Sequence, residues 1–100
     1  MQYWRVEWRH DFNDEATLFF SEVGEDGYEV RKVQRYRDGT LIKADRDHET
    51  ARIFLSEAPV GDLEEVNSGK DFSSTCITPG IFEEMWHKAN WSQPTSSTST

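Results

Sequence analysis

Residues 16–44 read ATLFFSEVGEDGYEVRKVQRYRDGTLIKA, and two turn signals cut this stretch into three runs of strand character. Gly24–Gly27 (GEDG) supplies residues that tolerate positive φ, and Asp38-Gly39 is a short hairpin signal. Both turns send the chain back antiparallel, so 16–23, 28–37 and 40–44 form consecutive strands. In the first, Leu18 and Phe20 alternate against Phe19 and Ser21. In the second, Tyr28, Val30, Lys32, Gln34 and Tyr36 begin apolar, while Glu29, Arg31, Val33, Arg35 and Arg37 are mostly charged. Val33 breaks that phase, which predicts a bulge or a surface valine.

Upstream, Trp4, Val6 and Trp8 alternate with Tyr3, Arg5, Glu7 and Arg9, the pattern of a half-buried strand with two tryptophans in the core. His10 to Glu15 is a polar loop. Downstream, Asp45 to Thr50 is loop-like, Ala51 to Leu55 reads as a fifth strand, and Asp62 to Asn67 as one helical turn stopped by Gly69. Thr78 is an N-cap and Pro79 suits the first helical position. Phe82, Met85, Trp86 and Ala89 then make one apolar helical stripe that should pack on the sheet. Glu83 and Glu84 near its start and Lys88 near its end suit the helix dipole. The expected fold is α+β: an antiparallel four- to five-stranded sheet with a C-terminal α-helix packed on one face. Residues 1–91 form the single domain, and the Ser/Thr-rich tail 92–100 is expected to be disordered.

With 100 residues, the chain has room for one domain and little core to spare; six Phe, three Tyr and four Trp supply that core economically. A single cysteine, Cys76, excludes an internal disulfide and fits a reducing, cytoplasmic location. The charged strand at the start is no signal peptide, and no apolar run is long enough for a membrane.

Charge is unevenly distributed. The formal net charge is -8, yet residues 28–46 hold six cations against three anions. Arg31, Arg35 and Arg37 share one face of their strand, and Arg5 and Arg9 share the charged face of the first. If the two faces coincide, five guanidiniums with Tyr3 among them line a solvent surface suited to carboxylates or phosphates. Alternatively the arginines pair with Glu7, Glu22 and Glu29 across the strands. The acidic loops, Asp11, Asp14 and Glu15 with Asp62, Glu64 and Glu65, either solubilise the domain or form a negative surface that steers a cationic partner.

Sites for chemistry are weakly supported. His10-Asp11 resembles a base with its orienting carboxylate but lacks a nucleophile, and turns use Asp and Asn anyway. Asp45, Asp47 and Glu49 alternate like calcium ligands without the glycine or terminal glutamate of such a loop. His10, His48 and His87 have no zinc spacing, and no phosphate-cradling or nucleophile-elbow motif occurs. No catalytic residue, metal or cofactor is expected.

The pattern of Trp4, Val6 and Trp8, then Ser21 and Glu22, Asp26, Gly27, Glu29, Arg31, Lys32 and Val33, the Asp38-Gly39 turn, and Phe82, Glu83 and Trp86 resembles a group of small bacterial domains of unknown function. The resemblance covers about residues 1–90. It implies the W-x-V-x-W strand, the charged hairpin and the terminal helix, with Glu22, Glu29 and Arg31 as a shared charged cluster. By analogy with other small acidic bacterial proteins, it points towards immunity or phage counter-defence. The function expected is therefore a non-enzymatic module that binds another protein, an immunity-type or inhibitory partner occluding a basic site, with Phe12 or Tyr36 as anchors. The alternative is nucleic-acid or acidic-ligand binding through the arginine face. The expected state is a monomer or a homodimer formed at an uncovered edge strand.

Overall fold

Strand alternation puts every second residue on the same side of a sheet, and cross-strand register decides which sets coincide. The computed structural model describes residues 1–12, 15–50, 53, 55 and 71–91. Among the described residues, six strands form one sheet: β1 (Gln2–Trp8), β2 (Leu18–Val23), β3 (Glu29–Arg35), β4 (Leu41–Asp45), β5 (Phe72–Cys76) and β6 (Asn90–Trp91), with helix α1 (Pro79–Lys88) before the last. Their spatial order is β5-β1-β2-β3-β4-β6. All neighbours pair antiparallel except β4 and β6, which pair parallel.

The central meander follows from its turns. Gly27 and Gly39 have φ of 84° and 92°, where a Cβ would be strained, and each closes a hairpin. At the second turn, Tyr36 N–H donates to the Thr40 carbonyl and Gly39 N–H to that of Tyr36. Register then places Tyr3, Glu22, Arg31 and Asp45 in one row across β1 to β4. Arg5, Phe20, Val33 and Lys43 form the next row, and Glu7, Leu18, Arg35 and Leu41 the third.

Helix α1 covers this odd-numbered side of β1, not the tryptophan side. Thr78 Oγ1 accepts from the Ile81 N–H at 3.2 Å, and Pro79 occupies the first turn, so the start is capped as the sequence implies. Phe82 and Ala89 are buried against Leu18, Phe20 and Val33, with Tyr3, Leu41, Ile77, Met85 and Trp86 packed around them. Val33 is thus fully buried beneath the helix, neither bulged nor on the surface. The bulge lies three residues earlier in the same strand, where the β2–β3 register shifts between Glu22 and Val23 and skips Val30.

The other side of the sheet has its own core of Ala16, Tyr36, Ile42, Ala44 and Ile53, with Phe19 against it. Ile53 and Leu55 are buried, and neither belongs to a strand. The remainder of the expected 51–55 strand, the helical turn at 62–67 and the tail 92–100 lie outside the described residues. The fifth strand is instead Phe72–Cys76, which pairs Trp4 with Cys76 through Trp8 with Phe72.

Phe82 joins the helix to the sheet with no solvent exposure. Phe82→Ala should therefore cost about 3–5 kcal/mol in urea-unfolding experiments. Thr78→Ala removes one cap hydrogen bond and should cost about 1 kcal/mol.

Candidate binding surface

The arginines expected to form one row are separated by the helix. Their strand faces do coincide, but Arg31 lies under α1 and is held by two carboxylates. Its Nε and Nη2 donate to Glu22 Oε1 and Oε2 at 2.6 and 2.9 Å. Nη1 donates to Glu83 Oε1 at 3.2 Å, and Nη2 also donates to Glu83 Oε2. The guanidinium carbon sits 4.9 Å from the Phe82 ring centre and 4.8 Å from that of Trp86. Tyr3 completes the group by donating its hydroxyl to Glu22 Oε2 at 2.8 Å. Two bidentate contacts and two ring contacts use the planar fork in a way lysine does not match.

The electrostatics follow from these bonds. Hydrogen bonding from Arg31, reinforced by Tyr3, holds the Glu22 carboxyl below its usual range despite its burial. The Arg31 hydrogen bond does the same to Glu83. Bonds to Glu22 and then Glu83 raise the Arg31 guanidinium above its ordinary value, and the bond to Glu22 raises the Tyr3 phenol. On the reverse side, Glu29 accepts from Ser21 Oγ at 2.9 Å and from Lys32 Nζ at 3.2 Å. Glu22, Glu29 and Arg31 are structural ion-pair members, not solvent-facing binding groups.

The remaining four arginines are exposed. Arg5 and Arg35 make no ion pair among the described residues. Arg9 donates to Ser73 Oγ at 2.7 Å and lies 3.7 Å from Glu7. Arg37 donates through Nη2 to the His10 carbonyl and through Nε to that of Phe12 at 3.4 Å. Arg9 and Arg37 line an open cleft of about 500 Å³ at the end of the sheet with Glu7, Trp8, His10, Asp11 and Thr17.

His10 serves this end as a staple. Phe12 N–H donates to His10 Nδ1 at 3.0 Å, which leaves Nε2–H to donate to the Ala16 carbonyl at 2.9 Å. Both ring nitrogens are committed to backbone, so Asp11 does not orient the ring as a catalytic carboxylate would. Beside it, Trp8 stacks on Phe72 with centroids 6.0 Å apart and planes 8° apart, and touches Phe12 at 6.2 Å and His10 at 4.1 Å. Phe12 is 58% exposed and Phe72 37%. Tyr36, at 7%, is core and cannot anchor a partner. Trp8 and Phe12 were visible in the sequence; their meeting with Phe72 was not, because it depends on β5 pairing.

Asp11 and Glu15 are exposed; Asp14, Asp62, Glu64 and Glu65 lie outside the described residues. Asp45 and Glu49 act within their own loop. Asp45 Oδ1 accepts from the Asp47 N–H and His48 Nδ1, and Glu49 accepts from the Leu55 N–H. Burial raises the Asp45 carboxyl, but the His48 and Asp47 bonds outweigh it and hold the group low. Among the described residues, no three His, Cys, Asp or Glu side chains cluster as metal ligands, and no helix is long and apolar enough to cross a membrane.

Fold and site define a small sheet domain whose terminal helix is clamped by an arginine and whose sheet end exposes stacked aromatics. Residues 2–91 match the family described as a domain of unknown function, DUF6881, and the chain belongs to that family. Neither a curated protein nor a solved structure matches it.

Removing Arg31 strands Glu22, whose side chain is only 7% exposed. Arg31→Ala should destabilise the fold by about 3 kcal/mol, the lower end for breaking a buried pair. Because Glu22 and Glu83 have lowered folded-state values, their contribution is full above the ordinary carboxylate value of 4.5 and fades as pH falls below it. Acid unfolding followed by circular dichroism should therefore be less steep in Arg31→Ala than in the parent. An Arg31→Ala loss within measurement error would mean the clamp is incidental.

Proposed function

We propose that this domain is a non-enzymatic, cytoplasmic protein-binding module of the immunity or inhibitor type, bacterial in origin, which occludes a basic site on its partner. The contact surface is the aromatic end of the sheet. The observation that supports it is the exposure of Phe12 and Phe72 on a shared Trp8 platform. Aromatic side chains left outside a small core, where burial would stabilise the domain, are the residues that most often anchor interfaces.

Preorganisation strengthens this reading. Trp8 is fixed in β1 between β2 and β5. The backbone beside Phe12 is stapled by His10 and Arg37. A surface already ordered loses less conformational entropy on binding. Exposed Asp11, Glu15 and Asp71 belong to the segments bordering this end. With the formal charge of -8, they favour fast encounter with a cationic partner.

The test is to identify a partner from the native host and then measure its association kinetics against the purified domain. Phe12→Ala with Phe72→Ala should weaken binding at least about tenfold, mostly through dissociation. Asp11→Asn with Glu15→Gln should slow association, and added salt should slow it for the parent. A partner whose binding is unchanged by the double aromatic variant would overturn the assignment of this surface.

A further inference from the structure

On the side of the sheet away from helix α1 lies an open cavity of about 180 Å³. Alternation along β1 turns Trp4 and Val6 to this side, and register sets Trp4 beside Ser21 and Val6 beside Phe19. With Phe72 from β5, these apolar side chains form most of the wall seen among the described residues. The rest is polar and comes from the β3 end: Ser21, its register partner Lys32, and Glu29. Ser21 and Glu29 are buried, whereas Phe72 is exposed, so the polar groups lie deep and the cavity opens towards β5.

Ser21 sets what this cavity accepts. Its hydroxyl donates its one proton to Glu29 Oε2 at 2.9 Å, and an ionised carboxylate has none to return. The serine oxygen therefore offers lone pairs only, and a ligand that meets it must donate. Charge at this depth is balanced, because Lys32 Nζ donates to Glu29 Oε1 at 3.2 Å. A charged ligand would leave water for a site whose own charges already match each other. The Trp4 indole N–H is committed to Gln2 Oε1 at 2.9 Å, so Trp4 contributes ring surface to the wall.

We propose that this cavity binds a small neutral aromatic molecule with one N–H or O–H donor, of the indole or phenol class. Its ring lies against Trp4, Val6 and Phe19, and its donor bonds the Ser21 hydroxyl oxygen. The size agrees: an apolar cavity of about 150 Å³ holds a benzene ring, and this one is slightly larger. Apolar walls with a few converging polar groups are the usual construction of a small-molecule site. The site does not depend on the partner-binding reading above. Phe72 borders both, but Phe12 is not among the residues that line the cavity.

Amide NMR spectra of the full chain titrated with indole test the proposal. Indole should bind with a Kd of about 1 mM or tighter, with the largest shifts at Val6, Phe19 and Ser21. N-methylindole keeps the ring and loses the donor, so the parent should bind it roughly three- to tenfold more weakly. Ser21→Ala should bind the two ligands alike; if that variant does not fold, the comparison on the parent carries the test by itself. Phe12→Ala should leave indole binding unchanged, which separates this site from the aromatic surface. Absence of shifts at several millimolar indole, equal binding of indole and N-methylindole by the parent, shifts centred on Phe12, or tighter binding of benzoate or benzylamine would each overturn the proposal.

Discussion

Arg31 ties together three elements that are far apart in sequence. Its guanidinium takes Glu22 from β2 and Glu83 from α1, and it lies against Phe82 and Trp86 of the same helix. Removing a charge from water is costly, and a single partner rarely compensates for it. Here two carboxylates share the fork, and the side chain retains 20% exposure, so part of the hydration survives. The arrangement selects the side of the sheet on which the helix rests. An apolar helix stripe alone would pack on either side; the Glu83 partner and the ring contacts exist only on this one. The β2–β3 hairpin carries a second ion pair, Glu29 with Lys32, on the reverse side.

That choice rearranges the charge of the whole domain. Of the six cations in residues 28–46, three become internal. Arg31 and Lys32 enter ion pairs. Lys43 donates to the Trp86 carbonyl at 3.2 Å, towards the negative end of the helix, and lies over the Trp86 and Trp91 rings. Trp91 in turn stacks on His48 at 4.1 Å. Arg35, Arg37 and Arg46 stay exposed. A basic stretch that reads as one surface is thus divided into a structural half and a solvent-facing half, and only the second is available to a partner.

Local chemistry accounts for the parts that were legible. Glycine at positive φ fixes the two hairpins, and Thr78 with Pro79 fixes the start of the helix, because such signals act within a few residues. The alternation of Trp4, Val6 and Trp8 marks β1 for the same reason. Phe72–Cys76 (FSSTC) has little apolar alternation, and its strand conformation comes from pairing with β1. Val33 looked out of phase because its neighbours Arg31 and Arg35 suggested a solvent face. Those arginines instead flank a core covered by the helix, in which Val33 between them is fully buried.

The amino-acid sequence by itself determined the meander, the capped amphipathic helix, the aromatic core and the acidic balance, since each rests on spacing or composition within a short segment. The tertiary structure alone decided which face the helix covers, which arginine becomes its clamp, and how Phe12 and Phe72 come to meet on Trp8. Those outcomes depend on register between strands and on contacts across more than fifty positions of chain, such as Arg31 with Glu83. Periodicity along one segment carries no information about which distant segment will face it.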